Sequence, residues 1–300
     1  FRRNDADERR WQESIAAAEV LFGAPGDTAE GLASAIRSAP DLRWVQGTAA
    51  GAGEQLRQAD LSPADLARVT MTSARGVHAE QLAEWAMLGL LAFTKDLPRL
   101  LAAKTEHRWE HYPVRELAGQ TLLIVGLGEI GREVARSARA LRMHTLGVRR
   151  SLPEPAVDDA VDELHPIASL PELVPRADAV VLALPDTPAT RNLFDRRLVE
   201  SLGRRAVLVN VGRGRTLDQT ALTEALVGRR ITGAALEVFE TEPLPADDPL
   251  WQLDNVLISP HTAALSTKEN ARIVDLFVTN LRRYCDGEPL LNVVDPTDFY

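Results

Sequence analysis

Gln120-Thr121-Leu122-Leu123-Ile124-Val125-Gly126-Leu127-Gly128-Glu129-Ile130-Gly131-Arg132 is the stretch whose reading decides the fold. Thr121 to Val125 carries no charge and reads as a short strand buried in a sheet. Arg132 to Leu141 reads as a helix, and Met143 to Val148 as a second strand. Between strand and helix, Gly126 to Gly131 fits G-x-G-x-x-G. The hexapeptide alone is weak, because glycine triplets arise by chance, and its bland reading is a plain strand-turn-helix. The flanking strand and helix give it weight. Gly126 then allows the tight turn, Gly128 lets a pyrophosphate approach the backbone, and Gly131 lets helix and sheet pack closely. Such a diphosphate faces the free N–H groups of Glu129 and Ile130 at the positive end of a helix dipole.

The same alternation continues outward. Apolar strands are expected at Ala179 to Leu184, Ala206 to Val211, Gly233 to Val238 and Val256 to Ser259, with helices or loops between them. Upstream, shorter strands are expected at Ala18 to Phe22, Leu42 to Gln46 and Val69 to Thr72, the second opening into the small-residue loop Gly47 to Gly53. Phe1 to Ala18 reads as an amphipathic helix with Trp11 and Ile15 on one face. An α/β domain usually opens on a strand, so a first strand missing ahead of Phe1 is expected. A long Ala- and Leu-rich helix is expected from Ala79 to about Leu101, and a last helix from Thr267 to Tyr284 before the apolar tail Leu290 to Val294. The fold class is therefore α/β, with two doubly wound parallel-sheet domains. The dinucleotide-binding Rossmann domain, 94–263, is inserted into a discontinuous substrate domain of 1–93 and 264–300.

A chain of 300 residues, 45% hydrophobic and 26% charged, has ample material for such cores. Its net charge of −9 argues against a general affinity for nucleic acid or an anionic membrane, while leaving room for a local cationic pocket. The lone cysteine, Cys285, excludes an intrachain disulfide framework and a thiolate zinc cluster, and reads as a bystander. No His/Cys/Asp cluster has ligand spacing, so no metal is expected. No apolar run approaches the roughly 18 to 20 residues that cross a bilayer, and no secretory signal opens the chain. A cytoplasmic setting is the expectation.

The end of the strand after the glycine loop should read the adenine ribose. An acidic side chain there accepts from both ribose hydroxyls and repels a 2′-phosphate, but this chain has Arg149-Arg150-Ser151. Two guanidiniums and a hydroxyl suit a phosphate dianion, so NADP(H) is the preferred cofactor, with NAD(H) possible. The alternative is that one Arg stacks on adenine while the other is solvated. Hydride transfer to a keto acid then needs a cation for the carboxylate and carbonyl, an acid for the forming alkoxide, and a carboxylate to tune that acid. Histidine, with an ordinary pKa of about 6.5, suits the acid role. Arg213, Glu242 and His261 each follow an expected strand, where open α/β sheets place ligands. Of the other histidines, His107, His111, His144 and His165 read as surface or packing residues, and His78 follows a loop at Arg75-Gly76.

With these residues in hand, the chain resembles the D-isomer-specific 2-hydroxyacid dehydrogenases, from about Val20 to Val294. The likeness rests on Glu116 to Gly119 ahead of the glycine loop, Leu184 to Pro188, Val209 to Gly214, Leu236 to Leu244, and Ser259-Pro260-His261. It implies a flavodoxin-like substrate domain, and a reductase of a small 2-keto acid of the glyoxylate or hydroxypyruvate type. It makes Arg213 the substrate-binding cation, His261 the acid/base and Glu242 its partner. Substrate contacts fall to Ala50, Gly51, Ala52, Arg75 and Gly76. Further dinucleotide contacts fall to Leu184, Pro185, Thr190, Val211, Gly212, Glu237 and His261. The resemblance also implies a homodimer through the nucleotide-binding domains, around Lys95 to Tyr112, with Trp109 in reach of the partner's site. Two departures stand out: Glu237 replaces the family's usual Asp on the nicotinamide side, and Arg149 and Arg150 replace its commoner acidic ribose reader. Formate dehydrogenases pair their histidine with Gln, so Glu242 weighs against that activity, whereas phosphite oxidation needs a substrate test. A dinucleotide-sensing corepressor on the same fold keeps these residues too, and only turnover separates it.

Overall fold

The computed structural model describes residues 4–150, 152 and 157–297. Ser151, expected beside the ribose, lies outside the described residues. The chain divides into two units, Phe1–His78 with Thr267–Tyr300, and Ala79–Ser266.

The first unit carries three short parallel strands, β1 (Val20–Phe22), β2 (Trp44–Gln46) and β3 (Thr70–Thr72), in sequence order. Its opening helix, Asp5–Ala16, buries Ile15 and is capped by Asn4, whose side chain accepts from the N–H groups of Ala6 and Asp7. The helix Glu269–Cys285 completes this unit from the far end of the chain. Buried Asn280 donates to Gln46 Oε1 (3.1 Å) and exchanges bonds with the Leu291 backbone (3.1 and 2.8 Å). Phe277 and Tyr284 stack on Trp44, at 5.3 and 5.7 Å between ring centroids. The tail then bridges β3 antiparallel, Val293 opposite Thr72.

The second unit is a seven-stranded parallel sheet: β4 (Thr121–Val125), β5 (His144–Arg149), β6 (Glu163–Pro166), β7 (Ala179–Leu182), β8 (Val207–Asn210), β9 (Gly233–Leu236) and β10 (Val256–Ile258). Its order is β10-β9-β8-β7-β4-β5-β6, so the winding reverses between β4 and β7. Alternate residues of β4 enter different cores. Leu123 and Val125 join a cluster with Leu170, Leu198 and Leu222, whereas Leu122 and Ile124 join one with Leu90, Val134 and Ala138. Burial on both faces is why these strands read as continuous apolar runs.

Three expectations change. The domain boundaries move from 93/94 and 263/264 to 78/79 and 266/267. The cause is the helix Ala79–Thr94, which buries Leu82, Ala86, Leu90 and Phe93 on the larger sheet. It lies so close that a Cβ on Gly89 would be 2.5 Å from Ala235 Cβ. This helix also stops at Thr94 rather than running to about Leu101: Asp96 is left-handed (φ 57°) and a new helix, Leu97–Thr105, begins with proline in its first turn. Finally, β6 is a strand that apolar patterning does not announce. It is Glu163-Leu164-His165-Pro166 at the sheet edge, where proline and charge are tolerated because, among the described residues, one side has no neighbouring strand to bond. Among the described residues, no helix is long and apolar enough to cross a membrane.

Candidate active site

Because all seven strands run one way, the segments after their C-terminal ends share one edge of the sheet. Gly126–Gly131 follows β4, Arg149 ends β5, Leu184-Pro185 follows β7, Gly212-Arg213 follows β8, Glu237–Glu242 follows β9, and His261 follows β10. This edge, at the reversal of strand order, is where open α/β sheets bind ligands.

The glycine loop is built for close approach. Gly126 has φ 103°, and a Cβ there would sit 2.6 Å from the Ala183 carbonyl oxygen. A Cβ on Gly131 would sit 2.1 Å from the Gly126 oxygen, so only glycine lets the helix Glu129–Ala140 pack against its own turn. No side chain caps the N-terminus of that helix, whose cap residue is Gly128. Its first N–H groups, from Glu129 and Ile130 onward, lack intrahelical acceptors and suit an anion. The chain therefore fits a dinucleotide diphosphate here. Beside the loop, Arg132 binds both oxygens of Asp158 (2.7 and 2.6 Å) and holds that carboxyl below its ordinary range. Arg149 and Arg150 are exposed at the end of β5.

Arg213 sits on a braced turn. Buried Asn210 accepts from Gly212 N–H (3.0 Å) and donates to the Arg213 carbonyl (3.2 Å), which the Thr216 hydroxyl also reaches (2.7 Å). The Arg213 guanidinium gives one N–H to the Gly212 carbonyl (2.7 Å) out of its five donors. Gly212 and Gly214 are contact points. A Cβ on Gly212 would lie 2.5 Å from the Leu184 oxygen, and one on Gly214 would lie 1.9 Å from the Phe239 carbonyl carbon. The turns of Leu184, Arg213 and Glu242 are thus packed backbone to backbone. Thr190 is buried with its hydroxyl committed inside the Pro185–Thr190 turn, at 2.6 Å from the Pro185 oxygen. Val211 is likewise buried, its N–H bonded to the Leu182 carbonyl.

His261 Nδ1 meets Glu242 Oε2 at 2.8 Å, and the other Glu242 oxygen accepts from Phe239 N–H at 2.9 Å. The His261 side chain is 45% exposed. His261 has φ 56°, a left-handed conformation unusual for a residue with a side chain. Glu237 is 1% exposed. Its carbonyl accepts from His261 N–H (3.1 Å) and its Oε1 from Ala263 N–H (2.7 Å). Asn210, Thr216 and the buried bonds of Glu237 were not legible as site features; the only signal is a polar Asn closing the apolar run Val207 to Val209.

The remaining expected site residues belong to the first unit. Ala50, Gly51 and Ala52 follow β2, with Gly51 capping the short helix Ala52–Gln58, and Arg75 and Gly76 (φ 91°) follow β3. A bond from Ala74 N–H to the Ala49 carbonyl (3.1 Å) joins the two loops.

Comparison with known proteins follows the same lines. Residues 87–263 match the family model described as D-isomer specific 2-hydroxyacid dehydrogenase, NAD binding domain. The chain is 34% identical over 247 residues to a D-3-phosphoglycerate dehydrogenase of Methanocaldococcus jannaschii, covering 81% of this chain but 46% of that protein. It is 33% identical to a glyoxylate reductase of Korarchaeum cryptofilum, covering 88% of this chain and 79% of the relative. Among solved structures, an NADPH-dependent glyoxylate/hydroxypyruvate reductase from Sinorhizobium meliloti, in complex with NADP and sulfate, superposes with a TM-score of 0.83 at 28% identity. That alignment covers 98% of this chain and 90% of the other. On the family match and on the strand-end residues described above, this chain belongs to the D-isomer specific 2-hydroxyacid dehydrogenases.

Proposed function

We propose that this chain reduces a small 2-keto acid, of the glyoxylate or hydroxypyruvate kind, to the D-2-hydroxy acid, with NADPH preferred over NADH. The 2.8 Å pairing of His261 Nδ1 with Glu242 carries this reading. With Nδ1–H donated to the carboxylate, an imidazolium presents its second proton on Nε2. His261 gives that proton to the substrate oxygen as it becomes an alkoxide, and regains it from solvent. Glu242 holds the ring in place. The Arg213 guanidinium binds the substrate carboxylate and draws electron density from the keto carbonyl. The nicotinamide, when bound, supplies the hydride, so a keto acid, NADPH and one proton become a hydroxy acid and NADP⁺. Gly126–Gly131 would hold the diphosphate, and Arg149 and Arg150 the 2′-phosphate. Support for the substrate class comes from the glyoxylate reductase among the relatives, and for the cofactor from the NADP bound by the structural neighbour.

The test is nicotinamide absorbance with glyoxylate, hydroxypyruvate, formate and phosphite, run with both cofactors. Turnover of a keto acid with a lower KM for NADPH is expected. His261→Ala and Arg213→Ala should each lose turnover by about 10²- to 10⁴-fold while still binding dinucleotide. Undiminished turnover in either variant would overturn the roles. Tight dinucleotide binding without turnover of any acid would overturn the function. We further propose a homodimer, because large apolar side chains are exposed along one stretch: Leu88, Leu91, Leu100, Leu101, Val114 and, at 91% exposure, Trp109.

A further inference from the structure

We propose that Glu237 is a positioning residue that holds the His261 backbone in its left-handed conformation and ties it to the Arg213 turn. The proposal builds on the acid/base role given to His261 above. Glu237 takes the N–H groups on both sides of Pro260-His261-Thr262-Ala263: its carbonyl takes that of His261 (3.1 Å) and its carboxylate that of Ala263 (2.7 Å). Its own N–H donates to the Asn210 carbonyl (3.1 Å). Asn210 in turn holds Gly212 N–H and the Arg213 carbonyl through its side chain. One buried relay therefore runs from the Arg213 turn through Asn210 and Glu237 to His261. A non-glycine residue at φ 56° persists only where its surroundings over-determine it. Two bonds from one residue that is 1% exposed supply that constraint.

The Glu237 side chain reaches Ala263 N–H through Oε1. Its second oxygen, Oε2, is buried without a hydrogen-bond partner among the described residues and takes no part in the clamp. That separates the two oxygens experimentally. Glu237→Gln keeps an acceptor for Ala263 N–H and alters only the other atom, whereas Glu237→Leu fills the volume and accepts nothing.

Steady-state kinetics and the His261 ring resonance in the ligand-free protein form the test. Glu237→Leu should lose kcat by about 100-fold, the effect of a misplaced catalytic group. It should also move the His261 resonance. Glu237→Gln should leave the His261 resonance of the ligand-free protein where the parent has it. If the leucine variant does not fold, Glu237→Ala replaces it and is read the same way. The clamp is overturned if Gln moves the His261 resonance as far as Leu does, or if the resonance stays in place with Leu. An inactive parent protein would sink the proposed function alone, since the resonance in the ligand-free protein still decides on the clamp.

Discussion

Gly214 has no space even for a methyl group, because the Phe239 backbone occupies it. The contact makes the distance between the Arg213 and Glu242 turns a matter of backbone packing rather than of side-chain reach. Gly214→Ala should therefore push the turns apart. The expected outcome is a loss of about 10²-fold in kcat, since small displacements cost that much. A fall in stability of about 1–3 kcal/mol from overpacking should accompany it. Kinetics and a denaturant titration check the two numbers together. At this scale the sequence reveals which side chains carry charge and protons after each strand, and so Arg213, Glu242 and His261 can be read directly. What braces them is different in kind. Asn210, Thr216 and Glu237 act through bonds to backbone groups. The partners of Asn210 and Thr216 depend on the backbone shape of one turn, and that of Glu237 on which loops meet, and residue types encode neither.

The edge strand β6 shows the same division among elements. Its residues are too polar to read as a strand, yet Glu163 is what fastens it. Bonds from His144 (2.9 Å), His165 (2.9 Å) and Arg176 (2.9 Å) hold its carboxyl at about 2, below the ordinary 4.5. A carboxyl lowered on folding stabilises the fold above its unfolded value and loses that contribution as pH falls toward its folded value. The benefit is thus complete above about 4.5 and fades down to about 2. Glu163→Gln should destabilise near neutrality by under about 1 kcal/mol, as partly exposed pairs do. The gap between variant and parent in urea titrations should close between those two pH values. The central strands, by contrast, were legible in the sequence, because burial on both faces demands uninterrupted apolar residues. The boundary at His78/Ala79 was not, since an Ala- and Leu-rich helix packs equally well on either sheet until Gly89 meets Ala235.

For the molecule as a whole, the proposed dimer gives a direct test. Leu101→Asp, on the helix Leu97–Thr105, should shift sedimentation from dimer to monomer with little change in the thermal melt of the remaining fold, because Leu101 is exposed in the single chain. A parent protein that sediments as a monomer would remove the proposal. The closure of the first unit by Asn280, Phe277 and Tyr284 has a consequence for synthesis. Its three strands leave the ribosome before the second unit, but the helix that covers Trp44 and the tail that bridges β3 leave after it. The second unit is one continuous segment and lacks nothing once Ser266 has emerged. Nascent chains therefore carry these strands without their covering helix while the whole second unit is made. The two units mature in the reverse of the order in which their first strands are made.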